Sequence, residues 1–285
     1  MPVDVMNWTL PGASGETILG NTHLPETAPR AAAIIVHGFL GYKDYGFFPT
    51  IADKLARHGI AAHRFNLSHS GMTENIETFA RPDLFAHNTW NKQVEDIERV
   101  IHALDRKELI GPGIPVVLIG HSRGGVASLL CAGRRSVAAM KPMDAIVTIA
   151  APDTTARLSD EQRALLDTQG FLEVTSGRTG QTLRIDRAFW DEQDAEPEAH
   201  DLLGLASNIP SPTLVIHGTE DPTVPSDCAK RIAETIPKSR LMLIEGGNHV
   251  LNTPNPFAVG SEPSPQLAEA LGGIVNFLDR LLAAR

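Results

Sequence analysis

Short apolar segments alternate with amphipathic segments along most of the chain. Runs that have the length and composition of buried strands occupy residues 31–36, 60–65, 115–119, 144–150, 212–217 and 241–244. Apolar residues at helical spacing occupy residues 48–58, 88–105, 226–236 and 265–282, and Ser226 is the expected N-cap of the third of these helices. Residues 3–10 and 16–24 flank a Pro-Gly turn and predict a hairpin. This alternation predicts an α/β fold with a mainly parallel sheet and helices on both faces.

Residues 152–205 break the alternation. Ser159 and Gln162 have the capping-box spacing of a helix over residues 160–168, and residues 171–174 and 182–185 flank a turn that predicts a short hairpin. We expect one domain over residues 1–285, with this insertion forming a small cap; the alternative is a surface excursion. Its large apolar side chains are the expected walls of a substrate pocket: Phe171, Leu172, Phe189 and Trp190.

The segment from Gly120 to Gly124 fits the pattern G-x-S-x-G, and its surroundings strengthen the match. A buried strand precedes it, and a small, apolar, helix-compatible segment follows it. That context is the one a nucleophile elbow requires, a turn that holds Ser122 at the end of the sheet. The alternative is an ordinary strand-to-helix turn in which Ser122 caps the helix.

A serine hydroxyl needs a base and an orienting acid to act as a nucleophile at neutral pH. Asp221 follows the strand at 212–217, and His249 follows the strand at 241–244. The order serine, acid, histidine is the one expected for an elbow of this kind. Asp153, after the strand at 144–150, is an alternative acid, and Glu220 is expected to point away from the site.

Four separated motifs carry a resemblance that covers nearly the whole chain: residues 37–39 (HGF), 120–124 (GHSRG), 217–221 (HGTED) and 247–249 (GNH). The chain resembles the α/β-hydrolase superfamily, and within it the serine esterases of the feruloyl (cinnamoyl) esterase and dienelactone hydrolase-like groups. The resemblance implies Ser122 as nucleophile, Asp221 as acid and His249 as base. Dienelactone hydrolases proper have a cysteine where this chain has Ser122, which argues against their activity.

A developing oxyanion needs preorganised hydrogen-bond donors. The expected donors are the backbone N–H groups of Phe39, in the turn after the strand at 31–36, and of Arg123, at the start of the helix after the elbow. His37, His121 and His217 are interpreted as structural histidines rather than additional bases. No His, Cys, Asp and Glu spacing typical of a metal site occurs, and no Walker A or dinucleotide fingerprint, so no metal or cofactor is expected.

The composition limits the classes of binding partner that we expect. The chain has 285 residues, is 42% hydrophobic and carries a formal net charge of −9 without a basic cluster, so neither nucleic acid nor an anionic membrane is an expected partner. The first residues lack the basic and apolar regions of a secretory signal, and no apolar run approaches the ~20 residues that span a bilayer. We therefore expect a cytoplasmic enzyme with a small-molecule substrate.

The function that these features predict is hydrolysis of carboxylic esters through an acyl-enzyme. Two alternatives remain open at this point. One is a peptidase or amidase of the prolyl oligopeptidase kind, which would use the same triad but typically has a propeller domain that this sequence lacks. The other is a non-catalytic binding protein on the same scaffold.

Overall fold

The computed structural model describes residues 3–111, 113–155 and 158–283. Within these residues, the chain forms ten strands: β1 (Asp4–Pro11), β2 (Thr17–Leu24), β3 (Ala31–Val36), β4 (Ile60–Asn66), β5 (Val116–His121), β6 (Ala145–Ile149), β7 (Phe171–Thr175), β8 (Thr182–Asp186), β9 (Thr213–Gly218) and β10 (Ser239–Ile244). Eight of them form one sheet in the order β1-β2-β4-β3-β5-β6-β9-β10. β1, β2 and β4 pair antiparallel, and the remaining neighbours pair parallel.

Helices cover both faces of this sheet. The α-helices of the described residues are α1 (Phe48–Arg57), α2 (Pro82–Ala86), α3 (Trp90–Asp105), α4 (Arg123–Val137), α5 (Asp160–Gln169), α6 (Ala188–Ala195), α7 (Pro197–His200), α8 (Leu202–Ala206), α9 (Asp227–Thr235) and α10 (Pro265–Ala283). Side chains of α3, α4 and α9 belong to the apolar core on one face, and those of α1 and α10 to the core on the other face. The predicted α/β architecture is confirmed.

The central strands are buried on both sides because their apolar residues alternate between the two cores. In β3, Ala32, Ile34 and Val36 contribute to one core, and the residues between them contribute to the other. Parallel strands of this kind all end at one edge of the sheet, so the loops after β3, β5, β6, β9 and β10 are brought together there.

Local signals were accurate except at some helix ends. α5 begins with the predicted capping box: the Ser159 hydroxyl accepts from the Gln162 N–H, and the Gln162 side chain accepts from the Ser159 N–H. The helix predicted at 88–105 begins instead at Trp90, because the Thr89 hydroxyl caps it. Ser226 occupies the predicted N-cap position of α9, but it adopts helical dihedral angles and its side chain makes no capping hydrogen bond.

The insertion contains α5 to α8 and the separate antiparallel hairpin β7–β8, as predicted for its first half. Residues 156 and 157 of the insertion lie outside the described ranges. None of the helices in the described part of the chain combines the length and the apolar character needed to span a bilayer.

Candidate active site

Ser122 occupies a sharp turn between β5 and α4. Its dihedral angles are φ 52° and ψ −124°, in a region that L-residues avoid, so the turn stores strain that its surroundings must stabilise. A methyl group on Gly120 would lie 2.3 Å from the carbonyl oxygen of Gly124, and one on Gly124 would lie 2.3 Å from that of Val36. The N–H of Ser122 donates to Ile149 of β6 at 2.8 Å. This is the geometry that the elbow pattern predicts.

His249 and Asp221 meet at the same edge of the sheet. The Nδ1–H of His249 donates to Asp221 Oδ2 at 2.8 Å, and His217 Nε2–H lies 3.2 Å from the same oxygen. The other carboxylate oxygen accepts from the N–H groups of Thr223 and Val224, at 2.8 and 2.9 Å. Burial raises the pKa of Asp221, but the hydrogen bonds from His217 and His249 outweigh it and hold that pKa well below its usual range. The carboxylate is therefore anionic and fixed.

His121 holds the loop that carries His249. Its Nε2–H donates to the carbonyl oxygen of His249 at 2.8 Å, and the two imidazole rings lie 4.9 Å apart. Burial lowers the pKa of His121 to about 3, so its ring is neutral at physiological pH. This contact links the end of β5 directly to the loop after β10.

The turn after β3 lies against the elbow. A methyl group on Gly38 would be 3.0 Å from both the His121 carbonyl oxygen and Ser122 Cβ. His37 fixes the turn, because its Nδ1–H donates to the Gly38 carbonyl at 2.9 Å and its Nε2 accepts from the N–H of Leu67 at 3.1 Å. Burial lowers the pKa of His37 to about 4, which keeps Nε2 free to accept.

The two N–H groups expected to stabilise an oxyanion have free hydrogen-bonding capacity. Neither the backbone N–H of Phe39 nor that of Arg123 donates to an acceptor in the part of the chain that the structure describes. Arg123 is the first residue of α4, so its N–H is one of the unsatisfied donors at a helix N-terminus.

Ser122 and His249 line one pocket of about 320 Å³. Its walls come from the turn after β3, from the start of α1, and from the turn between β7 and β8: Gly38, Phe39, Leu40, Gly41, Tyr45, Phe48, His121, Ser176, Gly177, Arg178 and Val250. The insertion therefore reaches this pocket through its hairpin turn. Among the described residues, Arg178 is the one permanently charged side chain that lines it.

The four apolar residues expected in the pocket lie elsewhere. Leu172 and Trp190 line a neighbouring groove of about 490 Å³, which meets the pocket at Phe39. Phe189 is 2% exposed and packs against the rings of Trp90 and Trp190, and Phe171 stacks under the guanidinium of Arg184. The strands of the hairpin face this groove and the core, whereas its turn faces Ser122.

Two contacts at the site go beyond what the sequence predicts. His217 is a structural histidine, as predicted, because its Nε2–H donates to the Val224 carbonyl oxygen at 2.8 Å. The same nitrogen also lies 3.2 Å from Asp221 Oδ2, and the i, i+4 spacing of the two residues around a tight loop is the signal that could have predicted this proximity. Arg178 lies in the predicted hairpin turn, and no local signal in the sequence indicates that it lines the pocket. The alternative acid, Asp153, instead pairs with Arg231 of α9, and Glu220 is exposed. No group of three His, Cys, Asp or Glu side chains in the described ranges could hold a metal ion.

The comparisons with known proteins assign the family. The model of the alpha/beta hydrolase family matches residues 33–262, which is most of the chain, and the chain therefore belongs to that family. No curated protein matches the chain.

Several solved structures share the fold. Est1E from Butyrivibrio proteoclasticus with bound ferulic acid has a TM-score of 0.74 at 17% identity, covering 98% of this chain and 99% of its own. A putative hydrolase from Agrobacterium vitis S4 has a TM-score of 0.72 at 20% identity, covering 99% of this chain and 100% of its own. The esterase domain of a Rhodothermus marinus protein has a TM-score of 0.65 at 23% identity, covering 97% of this chain and 98% of its own.

Proposed function

We propose that this protein hydrolyses carboxylic esters of small molecules, with Ser122 as nucleophile, His249 as general base and acid, and Asp221 as the orienting acid. One observation carries the proposal. Ser122, in a strained elbow, lines the same pocket as His249, whose Nδ1–H is bonded to a buried carboxylate. This arrangement leaves Nε2 of the histidine as the atom that can accept the serine proton.

The reaction proceeds in two halves. His249 takes the proton of Ser122 as the hydroxyl attacks the ester carbonyl, and Asp221 stabilises the resulting imidazolium. His249 then gives that proton to the departing alcohol, leaving an acyl-serine. A water molecule, deprotonated by His249, attacks the acyl-serine, and the carboxylic acid leaves as Ser122 recovers its proton.

The N–H groups of Phe39 and Arg123 are the proposed oxyanion hole. Both lack an acceptor among the described residues, and Gly38 allows the turn after β3 to approach Ser122 closely. A single such donor is worth ~10²–10³ in rate in enzymes of comparable chemistry. The tight His37 contacts would keep the Phe39 donor in place through the reaction.

Two observations favour an ester as substrate. Est1E, which shares the fold, is described with ferulic acid bound, and the Rhodothermus marinus relative is described as an esterase domain. The pocket of about 320 Å³ has the size of a small-molecule site. We further propose that residues 152–205 act as a cap within a single domain over residues 1–285, because the turn between β7 and β8 forms one wall of the pocket.

The test is turnover of p-nitrophenyl acetate and butyrate, compared with aminoacyl p-nitroanilides as probes of peptidase activity. We expect ester hydrolysis that disappears in Ser122→Ala and persists in Ser136→Ala. Ser136 lies on the same helix and only donates to the Ala132 carbonyl, so it controls for the loss of a hydroxyl. A folded Ser122→Ala variant with parental ester turnover, or hydrolysis of anilides alone, would contradict the proposal.

A further inference from the structure

A second concave site lies beside the catalytic pocket. This groove, of about 490 Å³, is bounded by α5 and the β7–β8 hairpin and has Phe39 and Arg123 at its base; we call it the Arg123 groove. Phe39 also lines the pocket that holds Ser122, so the two cavities meet at its ring. The proposed mechanism uses the backbone N–H groups of Phe39 and Arg123, but it gives no role to their side chains or to the other residues of the groove.

The guanidinium of Arg123 has no anionic partner among the residues that the structure describes. It makes no ion pair and no hydrogen bond with the described residues, and its nearest partners are the rings of Phe39, 3.9 Å from Cζ, and Phe189, at 5.2 Å. Burial lowers the pKa of Arg123 to about 10, so the group remains cationic at neutral pH. Cation–π contacts offset only part of the cost of removing such a charge from water.

The walls of the groove are mostly apolar and would fit an apolar part of a ligand. Six side chains supply them: Leu158, Leu165, Leu172, Val174, Ile185 and Trp190. Leu165, on α5, is 47% exposed, so this part of the wall is open to solvent. Glu173 also lines the groove, but it is exposed and lies 3.6 Å from Arg184.

We propose that the Arg123 groove binds the non-reacting part of the substrate, an apolar chain or ring that carries a carboxylate, with the carboxylate paired to Arg123. A guanidinium can hold a carboxylate through two parallel N–H···O bonds, and all five of its N–H donors lack a protein acceptor in the described ranges. The apolar walls cover the remainder of the ligand. The assignment of this ligand as part of the substrate rests on the proposed esterase function, whereas the binding itself does not.

The experiment measures binding without turnover. Octanoate and 1-octanol, which differ in charge but share the chain, are titrated calorimetrically into the Ser122→Ala variant and into the same variant carrying Arg123→Met. Methionine replaces the apolar stem of the side chain, removes the charged guanidinium group and leaves the backbone N–H in place. We expect the Kd for octanoate to rise roughly 10- to 100-fold, the range for a hydrogen bond to a charged group. The Kd for octanol should change by less than about threefold, because it has no charge to pair.

Arg163→Met is the matched control. Arg163 is exposed on α5 and does not line the groove, so its loss changes the net charge equally and should leave octanoate binding unaltered. A second test does not depend on how Arg123→Met folds. Leu165→Glu adds a negative charge to the groove wall, whereas Leu165→Gln adds a polar group without charge. The glutamate should weaken octanoate binding at least about tenfold more than the glutamine does.

Three results would overturn the inference. The first is that octanoate does not bind to the Ser122→Ala protein, and the second is that Arg123→Met weakens the binding of octanoate and of octanol equally. The third is that Arg163→Met weakens octanoate binding as much as Arg123→Met does. None of these depends on ester hydrolysis. Failure of the esterase proposal would appear separately, as absent turnover in the parental enzyme with octanoate binding intact.

Discussion

Replacing Asp221 by asparagine tests how the acid acts, because it removes the charge and nearly preserves the shape. One carboxylate oxygen accepts from the N–H groups of Thr223 and Val224, and the asparagine oxygen would keep that place. The amide nitrogen would then replace the oxygen that lies 2.8 Å from His249 Nδ1 and 3.2 Å from His217 Nε2. Because an amide N–H₂ only donates, His249 would have to carry its proton on Nε2 instead.

That tautomer cannot accept the proton of Ser122, and the cation formed during attack loses its anionic partner. We expect kcat to fall roughly 10³–10⁴-fold, as expected for a triad with the wrong histidine tautomer. At about 1.36 kcal/mol for each tenfold, this is about 4–5.5 kcal/mol of transition-state stabilisation. The assay is steady-state hydrolysis of p-nitrophenyl butyrate, with a thermal melt to confirm that the variant is folded.

Asp153→Asn is the control for the loss of a buried carboxylate. Asp153 pairs with the exposed guanidinium of Arg231 rather than with a histidine, so its replacement should lower kcat by less than about threefold. The reasoning is refuted if folded Asp221→Asn keeps more than about a tenth of the parental kcat, or if Asp153→Asn loses as much as Asp221→Asn.

Three further predictions concern the turn, the pocket and the core. A methyl group on Gly124 would lie 2.3 Å from a β3 carbonyl oxygen, so Gly124→Ala should lower the melting temperature by roughly 5 °C or more, whereas Gly177→Ala, with open space around it, should change it by less than about 1 °C. Arg178→Met should lower the preference for a succinyl half-ester over a butyryl ester by roughly tenfold in kcat/KM, and Phe171→Ala should not, because only Arg178 lines the pocket. Asp96 is buried and accepts three hydrogen bonds from the first hairpin turn and the loop after β4, so Asp96→Ala should lower the free energy of unfolding by about 2–5 kcal/mol in urea melts. A loss below about 1 kcal/mol would show that those donors find other partners.

The fold was predictable because its signals are local. The apolar runs of β3 and β5 and the helical spacing of α3 are visible in the sequence, and so is the capping box of α5. Errors arose where contacts with neighbouring residues determine the local conformation. Ser226 has a residue type typical of an N-cap, but its backbone already follows the helix.

Ser122, Asp221 and His249 could be predicted to lie close together because each follows a parallel strand, and parallel strands end at one edge of the sheet. Contacts that depend on side-chain direction could not be predicted in this way. Nothing local in the sequence indicates that the hairpin turn, through Arg178, faces Ser122 while Trp190 faces the neighbouring groove. The lack of an acceptor for the Arg123 guanidinium among the described residues likewise depends on which side chains the fold brings near it.

Covalent labelling tests the central claim, that Ser122 is a nucleophile activated by His249. The protein is treated with a fluorophosphonate, and peptide mass spectrometry locates the adduct. We predict a single phosphonylated residue, Ser122, with labelling at least about 100-fold slower in His249→Ala, because the hydroxyl then lacks its base. An adduct on another serine, or equal labelling rates with and without His249, would contradict the account.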